Sequence, residues 1–122
     1  MSSEIIVLML TLRNQIKLYH WQTMSFARHK GTDELVEKLD GNIDKFVEVY
    51  MGKHGRPRVG HRASLNIRDY HDKEAPKLLK EAISWLQTDL TQLLKKGDTD
   101  LLNIRDEIVA DLNQALYLFT LT

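Results

Sequence analysis

Two histidines and two acids in the first half of the chain have the residue types and spacing of metal ligands. His20 and His29 are followed by Asp44 and Glu48 in a stretch with helical periodicity. The chain contains no cysteine, so a metal ion would have to be held by imidazole and carboxylate groups. Such ligands suit iron and also other divalent metals such as manganese or zinc. We therefore interpret these four residues as a candidate metal site.

The acidic residues on the second predicted helix form a regular series, which we call the acidic row. Asp40, Asp44 and Glu48 recur every four residues, so they share one side of a helix. Like charges at this spacing repel each other by roughly 0.2–0.5 kcal/mol per pair, which favours a bound cation. The alternative is a solvated acidic face that Lys38 and Lys45 neutralise, and the spacing alone leaves both interpretations open.

The relation between the two histidines depends on where the first helix ends. On one unbroken helix, His20 and His29 would lie about 180° apart and roughly 13 Å apart along the axis, so they could not share an ion. A break with Ser25 as the N-cap would leave Gly31 inside the second helix at a cost of about 1 kcal/mol. A later turn, with Thr32 as the N-cap, would instead place His20 opposite the acidic row of the same chain.

Apolar residues at helical spacing predict four helices and no strand. The first begins near Ser2 or Ser3, the second ends at Gly52, the third runs from Pro76 to residues 95–97, and the fourth begins after Asp98 or Thr99. The connection over residues 52–75 is long, and residues 64–68 are expected to form a short extra helix. The sequence therefore predicts an all-α fold in one domain, residues 1–122: a ferritin-like four-helix bundle with one long crossover between helices 2 and 3.

The crossover is basic although the whole chain has a formal net charge of +0. Between Gly52 and Arg68 there is no acidic residue, and the basic ones are Lys53, His54, Arg56, Arg58, His61, Arg62 and Arg68. Lys53, Arg56, Arg58 and Arg62 form a candidate contact surface for the phosphate backbone of a nucleic acid. Alternatively, the basic residues pair with acidic helices across a subunit interface. No membrane-spanning segment is predicted, and the lack of cysteine fits a cytoplasmic protein.

Several motifs occur in a fixed order along the chain. Tyr19-His20-Trp21 ends the first predicted helix, His29 begins the next, and Ile43-Asp44-Lys45-Phe46-Val47-Glu48 follows on it. With the segment Gly97–Leu102 and its amphipathic helix, these motifs resemble the Dps-type DNA-protection proteins of the ferritin-like superfamily. The chain is similar to that family over nearly its whole length, and we identify it as a divergent member.

The resemblance implies a ferroxidase, with Trp21 as an aromatic neighbour of its iron site. His20 and His29 of one subunit would bind iron together with Asp44 and Glu48 of the partner. The protein would form at least a twofold dimer and, in the full assembly, a dodecamer. It would oxidise iron(II) with peroxide or oxygen and store the product.

Two further interpretations stay open at this stage. One is a ferritin-like helical oligomer without metal chemistry, which acts as a structural module or binds nucleic acid through the basic crossover. The other is an intrachain site in which Glu107 and Asp111 join His20 and Asp44.

Overall fold

The computed structural model describes residues 2–121, which are helical except for short turns and one long connection. Helix α1 spans Ser2–Gln22, α2 Phe26–His54, α3 Ala75–Ser84, α4 Leu90–Leu93 and α5 Thr99–Phe119. A π-helical turn, Trp85–Asp89, joins α3 to α4 in helical conformation throughout, so the three segments form one continuous helix. The described part of the chain contains no strand. With α3, the π-helical turn and α4 counted as one helix, it has four helices, which confirms the predicted all-α fold.

Helix α2 packs against both α5 and α1, and α3 packs against α5. The apolar stripes predicted from the sequence form one core, whose largest fully buried apolar side chains are Met9, Ile16, Tyr19, Leu39, Phe46, Leu79, Leu86, Leu90, Leu101, Ile108 and Leu112. Burial of each such side chain contributes about 1.5–3 kcal/mol. This core fixes α1 and α2 against each other. Within residues 2–121, no helix is long and apolar enough to cross a membrane.

The turn between α1 and α2 lies at residues 23–25, as the first interpretation predicted. Ser25 is the N-cap of α2, and its hydroxyl accepts a hydrogen bond from the backbone N–H of Arg28 at 3.2 Å. The Asp72 carboxylate accepts from the Thr23 hydroxyl at 2.6 Å and from the backbone N–H of Met24 at 3.1 Å. The turn is therefore held by its own cap and by the connection that passes beside it.

The predicted turn with Thr32 as the N-cap is wrong, because Gly31 and Thr32 both lie inside α2. Helix α2 also continues two residues beyond the predicted end at Gly52. It ends where Gly55 adopts a φ of 86°, a conformation that a glycine accepts without steric cost. The third helix begins at Ala75, with Pro76 in its first turn as predicted.

The connection from α2 to α3 does not contain the short helix predicted at residues 64–68. The Gln15 side chain donates to the Arg68 carbonyl at 2.7 Å and accepts from the Arg68 backbone N–H at 2.9 Å. Since both backbone groups of Arg68 bond to α1, they are not available for helical hydrogen bonds. The segment is instead an irregular strap fixed to the bundle.

Asp98 joins the end of α2 to the start of α5. It is 2% exposed, and its carboxylate accepts from the backbone N–H of Lys95 at 2.8 Å and pairs with His54 at 2.9 Å and Lys53 at 3.0 Å. Burial alone would raise its pKa, but these three partners together lower the pKa to about 2. The bond to Lys95 also explains why the third helix stops at Leu93, before the predicted end at residues 95–97.

Candidate metal site

His20 and His29 come together because the chain turns between them. His20 lies in the last turn of α1 and His29 in the first turns of α2. Their rings stack with centroids 4.0 Å apart and an interplanar angle of 16°. The two histidines that the sequence singled out are therefore neighbours within one chain, and His20 is buried.

The hydrogen bonds of the two imidazoles leave the same nitrogen available on each ring. The Thr32 hydroxyl donates to the Arg28 carbonyl at 2.7 Å, so it accepts from Nδ1 of His20 at 2.9 Å. Nδ1 of His29 donates to the His20 carbonyl at 2.9 Å. In its neutral form, each ring then carries its lone pair on Nε2. Metal-bound histidines commonly donate their other N–H in this way, because the bond fixes the ring orientation.

The environment of His20 keeps its imidazole neutral. Burial lowers the pKa of His20, and the nearby His29 and Lys17 lower it further. The His29 backbone and Asp33 act in the opposite direction, but the net pKa lies below the ordinary value of 6.5. A neutral imidazole can bind a metal ion without first losing a proton.

Asp33 is a third potential ligand, and it was not among the residues predicted from the sequence. One of its carboxylate oxygens lies 3.9 Å from Nε2 of His20, and its side chain is 64% exposed. Asp33 follows His29 by four residues, so the two share one side of α2. That spacing was the signal that could have identified it.

Asp44 and Glu48 are exposed further along α2, away from the histidines. The midpoints of His29–Asp33 and Asp44–Glu48 are separated by a helical rise of about 22 Å. Asp44 raises the pKa of Glu48 through a side-chain hydrogen bond and through charge repulsion. The two carboxyl groups therefore form a close acidic pair.

The lysines proposed as neutralising partners of the acidic row do not fill that role. Lys38 donates to the Gln114 side chain at 3.2 Å, and neither it nor Lys45 forms an ion pair with a described residue. Asp40 is instead paired with Arg13 of α1 at 2.9 Å. Asp44 and Glu48 thus have no ion-pair partner among the described residues.

One chain does not assemble a complete metal site. Among residues 2–121, no group of three or more histidines and acids is positioned to hold a metal ion. Asp111 accepts a hydrogen bond from Asn42 at 3.3 Å, and Arg105 pairs with Asp106 rather than with Glu107 or Asp111. The intrachain set of Glu107, Asp111, His20 and Asp44 is therefore not formed.

The potential ligands on α2 nevertheless share one face. At 100° per residue, His29, Asp33, Asp44 and Glu48 fall within a sector of about 100°. Beside this face, α1 and α2 border an open apolar groove of about 410 Å³, lined by Ile6, Met9, Leu10, Arg13, Asn14, Asp40, Ile43, Asp44 and Val47. At the histidine end, Trp21 is 67% exposed and lies beneath the ammonium group of Lys17.

The predicted basic surface divides into paired and unpaired residues. Lys53 is paired with Asp98 and with Asp100 at 2.7 Å. Arg56, Arg58 and Arg62 are exposed and form no ion pair or side-chain hydrogen bond with the described residues. Only these three arginines of the predicted surface are available to a partner.

Comparison with known proteins identifies a family and a phage protein that the chain resembles. Residues 20–119 match a family of unknown function, DUF5856. The chain is 31% identical over 105 residues to a protein of Enterobacteria phage T4, described as an uncharacterized 14.6 kDa protein in the mobD-ri intergenic region. The matched part covers 84% of this chain and 74% of the phage protein. No solved structure matches the chain at a significant level.

Proposed function

This chain belongs to the family of unknown function DUF5856, and from the geometry of its own residues we propose that it binds and oxidises iron(II) between two copies of itself. The observation that carries the proposal is the stacked pair His20 and His29, whose Nδ1 atoms are both bonded to oxygen. Two neutral imidazoles with free Nε2 atoms need carboxylates to complete an iron site. Asp33 of the same chain lies 3.9 Å from Nε2 of His20, and we assign it as one carboxylate that would join the histidines only when a partner subunit completes the site. We assign Asp44 and Glu48 of a partner subunit as the others.

A twofold axis across α2 accounts for the separation of the two half-sites. If the axis passes near residue 38 or 39, the two α2 helices run antiparallel and His29 of each faces Asp44 and Glu48 of the other. The dimer then has two equal sites about 22 Å apart. The apolar groove beside this face and the exposed Trp21 offer surface for such a contact.

The same arrangement suits the chemistry of iron oxidation. The imidazoles and carboxylates bind the iron(II) substrate and balance its charge, and the carboxylates stabilise the greater charge of iron(III). One hydrogen peroxide molecule accepts one electron from each of two iron(II) ions. It also takes up two protons, and its oxygen–oxygen bond breaks to give two water molecules. Oxygen is the slower alternative oxidant.

The helix order also supports a relation to Dps-type ferritins. A long crossover between the second and third helices, with short turns elsewhere, is the ferritin-like arrangement. We therefore propose a ferritin-like assembly that contains at least the twofold dimer and extends to a dodecamer that stores ferric iron.

The proposal is tested by iron(II) binding and peroxide-driven oxidation of purified protein, followed by stopped-flow absorbance. His29→Gln and Asp44→Asn should each abolish fast oxidation while leaving the elution volume on size exclusion unchanged. Glu34→Gln is the matched control, because it removes one carboxylate from α2 outside the proposed site. Fast oxidation that survives in Asp44→Asn would overturn the ligand assignment.

A mixing experiment tests the position of the site between two chains. His29→Gln and Asp44→Asn chains, each inactive alone, are unfolded together and refolded. Each mixed dimer contains one site with both defects and one site with none, so about a quarter of all sites should regain activity. No recovery from mixed dimers of confirmed composition would contradict an intersubunit site.

A further inference from the structure

A pocket at one end of the bundle combines two cationic side chains with apolar walls. It lies between the first turns of α2, the first turns of α3 and the last turn of α5, and its volume is about 480 Å³. The cations are Arg28 and Lys80, and none of the described acidic residues lines the pocket. The apolar lining residues are Pro76, Leu116, Tyr117 and Phe119. A pocket of this size and lining suits a small molecule with an apolar body and one negative group.

The Arg28 guanidinium brings to this pocket hydrogen-bond donors that the protein does not use. Of its five N–H groups, Nη1 donates to the Tyr19 hydroxyl at 3.0 Å and to the Asp72 carbonyl at 2.6 Å. Nη2 donates to the Phe119 carbonyl at 3.2 Å, and Nε is buried without an acceptor among the described residues. A buried donor that lacks an acceptor is costly, so a carboxylate on this side of the guanidinium would be bound favourably.

Lys80 adds a second positive charge that no described acid neutralises. It is exposed and forms no ion pair, whereas Lys77 on the same helix pairs with Glu81 at 3.9 Å. The Asp72 carboxylate is bonded to the turn between α1 and α2 and does not line the pocket. The amino end of α3 and the carboxyl end of α5 meet here, so their helix dipoles offset each other. The positive charge of the pocket therefore depends on Arg28 and Lys80.

We propose that this pocket binds an organic acid, with the carboxylate held by Arg28 and Lys80 and the apolar body against Leu116 and Tyr117. The planar fork of a guanidinium matches the two oxygens of a carboxylate, and the apolar walls favour such an acid over a fully hydrated inorganic anion. Arg28 lies about 100° from His29 around α2, so the pocket faces away from the proposed dimer contact. The proposal therefore does not depend on the proposed iron site.

The test is equilibrium dialysis of radiolabelled hexanoate against the full-length protein, with acetate, 1-hexanol and inorganic phosphate as unlabelled competitors. Acetate lacks most of the apolar body, and each methylene group contributes up to about fourfold in affinity, so acetate should compete roughly tenfold more weakly or worse. The alcohol lacks the charge and phosphate lacks the apolar body, so both should also compete far more weakly than unlabelled hexanoate.

Two exposed positions allow the pocket to be changed while the fold is kept. Lys80→Glu reverses one charge and should weaken hexanoate binding roughly tenfold. Tyr117→Ala removes an apolar wall that is 62% exposed and should weaken hexanoate binding while leaving acetate binding unchanged. The matched control is Lys45→Glu, which makes the same charge change on α2 outside the pocket and should bind like the wild type. Arg28 is not substituted because it also holds the ends of α1 and α5, and circular dichroism checks the fold of each variant.

Four results would overturn the proposal. The first is no binding of hexanoate by the wild type at millimolar concentration. The second is equal competition by 1-hexanol, which would indicate an apolar surface where charge has no role. The third is equal competition by phosphate, which would indicate a general anion site. The fourth is unchanged binding in Lys80→Glu or an equal loss in Lys45→Glu, which would place the bound acid elsewhere on the protein.

Discussion

Replacing Asp98 by asparagine should destabilise the protein more than any change of one surface charge. The carboxylate is 2% exposed and has three hydrogen-bonding partners, on the end of α2 and on the turn before α5. Its pKa falls from 3.8 to about 2 on folding. At 1.36 kcal/mol for each tenfold change in proton affinity, this corresponds to about 2 kcal/mol of folding free energy at neutral pH.

The sign of the pH dependence follows from the lowered pKa. The contribution of Asp98 is fully present above pH 3.8, where the carboxyl group is ionised in both states, and it is lost as the pH falls to about 2. The wild type and Asp98→Asn should therefore differ by about 2 kcal/mol at pH 7 and by much less at about pH 2. Near neutral pH, the melting temperature should fall by roughly 8 °C.

The assay is urea unfolding followed by circular dichroism at both pH values. Protein concentration is fixed because the proposed assembly would stabilise the folded chain. Asp106→Asn is the control: its exposed carboxylate pairs with the adjacent Arg105, and such a pair contributes about 0–1 kcal/mol. If Asp98→Asn differs from the wild type by less than about 0.5 kcal/mol at pH 7, or by the same amount at both pH values, the reasoning is refuted.

Two further predictions concern the histidine pair and the glycines. Thr32→Val removes the hydroxyl group that accepts a hydrogen bond from Nδ1–H of His20 at a fully buried position. Because this bond orients the imidazole, iron(II) affinity measured by titration should fall roughly 10–100-fold. Unchanged affinity would exclude an orienting role for Thr32. Gly31 lies inside α2 with open space around it, so Gly31→Ala should raise the unfolding free energy by roughly 0.5–1 kcal/mol. Gly55→Ala should instead lower the unfolding free energy by about 1 kcal/mol, because φ is +86° at this position. Equal effects of the two glycine substitutions in urea unfolding would contradict this contrast.

The helices could be predicted from the sequence because each carries a continuous apolar stripe. The positions of Pro76 and Asp98 identified two helix starts. Only Pro76 has a local reason to lie there, because the Asp98 carboxylate makes no capping hydrogen bond to α5 and bonds instead to Lys95, His54 and Lys53. The π-helical turn at Trp85–Asp89 and the irregular strap at 64–68 could not be predicted in this way. They depend on packing and on the tertiary bonds of Gln15, which leave no local signature.

For the candidate site, the sequence could supply only residue types and two alternative turns. His20, His29, Asp44 and Glu48 were chosen by residue type and spacing, and the cap at Ser25 provided one of two possible turns. The choice between those turns needed Asp72, which is distant in sequence and holds the turn in place. Neither the sequence nor one copy of the chain contains the contact that the proposed site requires.

The loop of residues 55–67 between α2 and α3 is attached to the bundle at both ends, and this attachment has an evolutionary consequence. Because its ends are fixed by Asp98 and by the Gln15–Arg68 pair, insertions or deletions inside it need not disturb the helices. Lengthening a flexible loop is also inexpensive, at about 0.6 kcal/mol for each doubling. Selection can therefore vary the loop in relatives while the histidine pair on α1 and α2 stays in place. Changes in this loop at one end of the bundle would then leave the histidine pair at the other end in place.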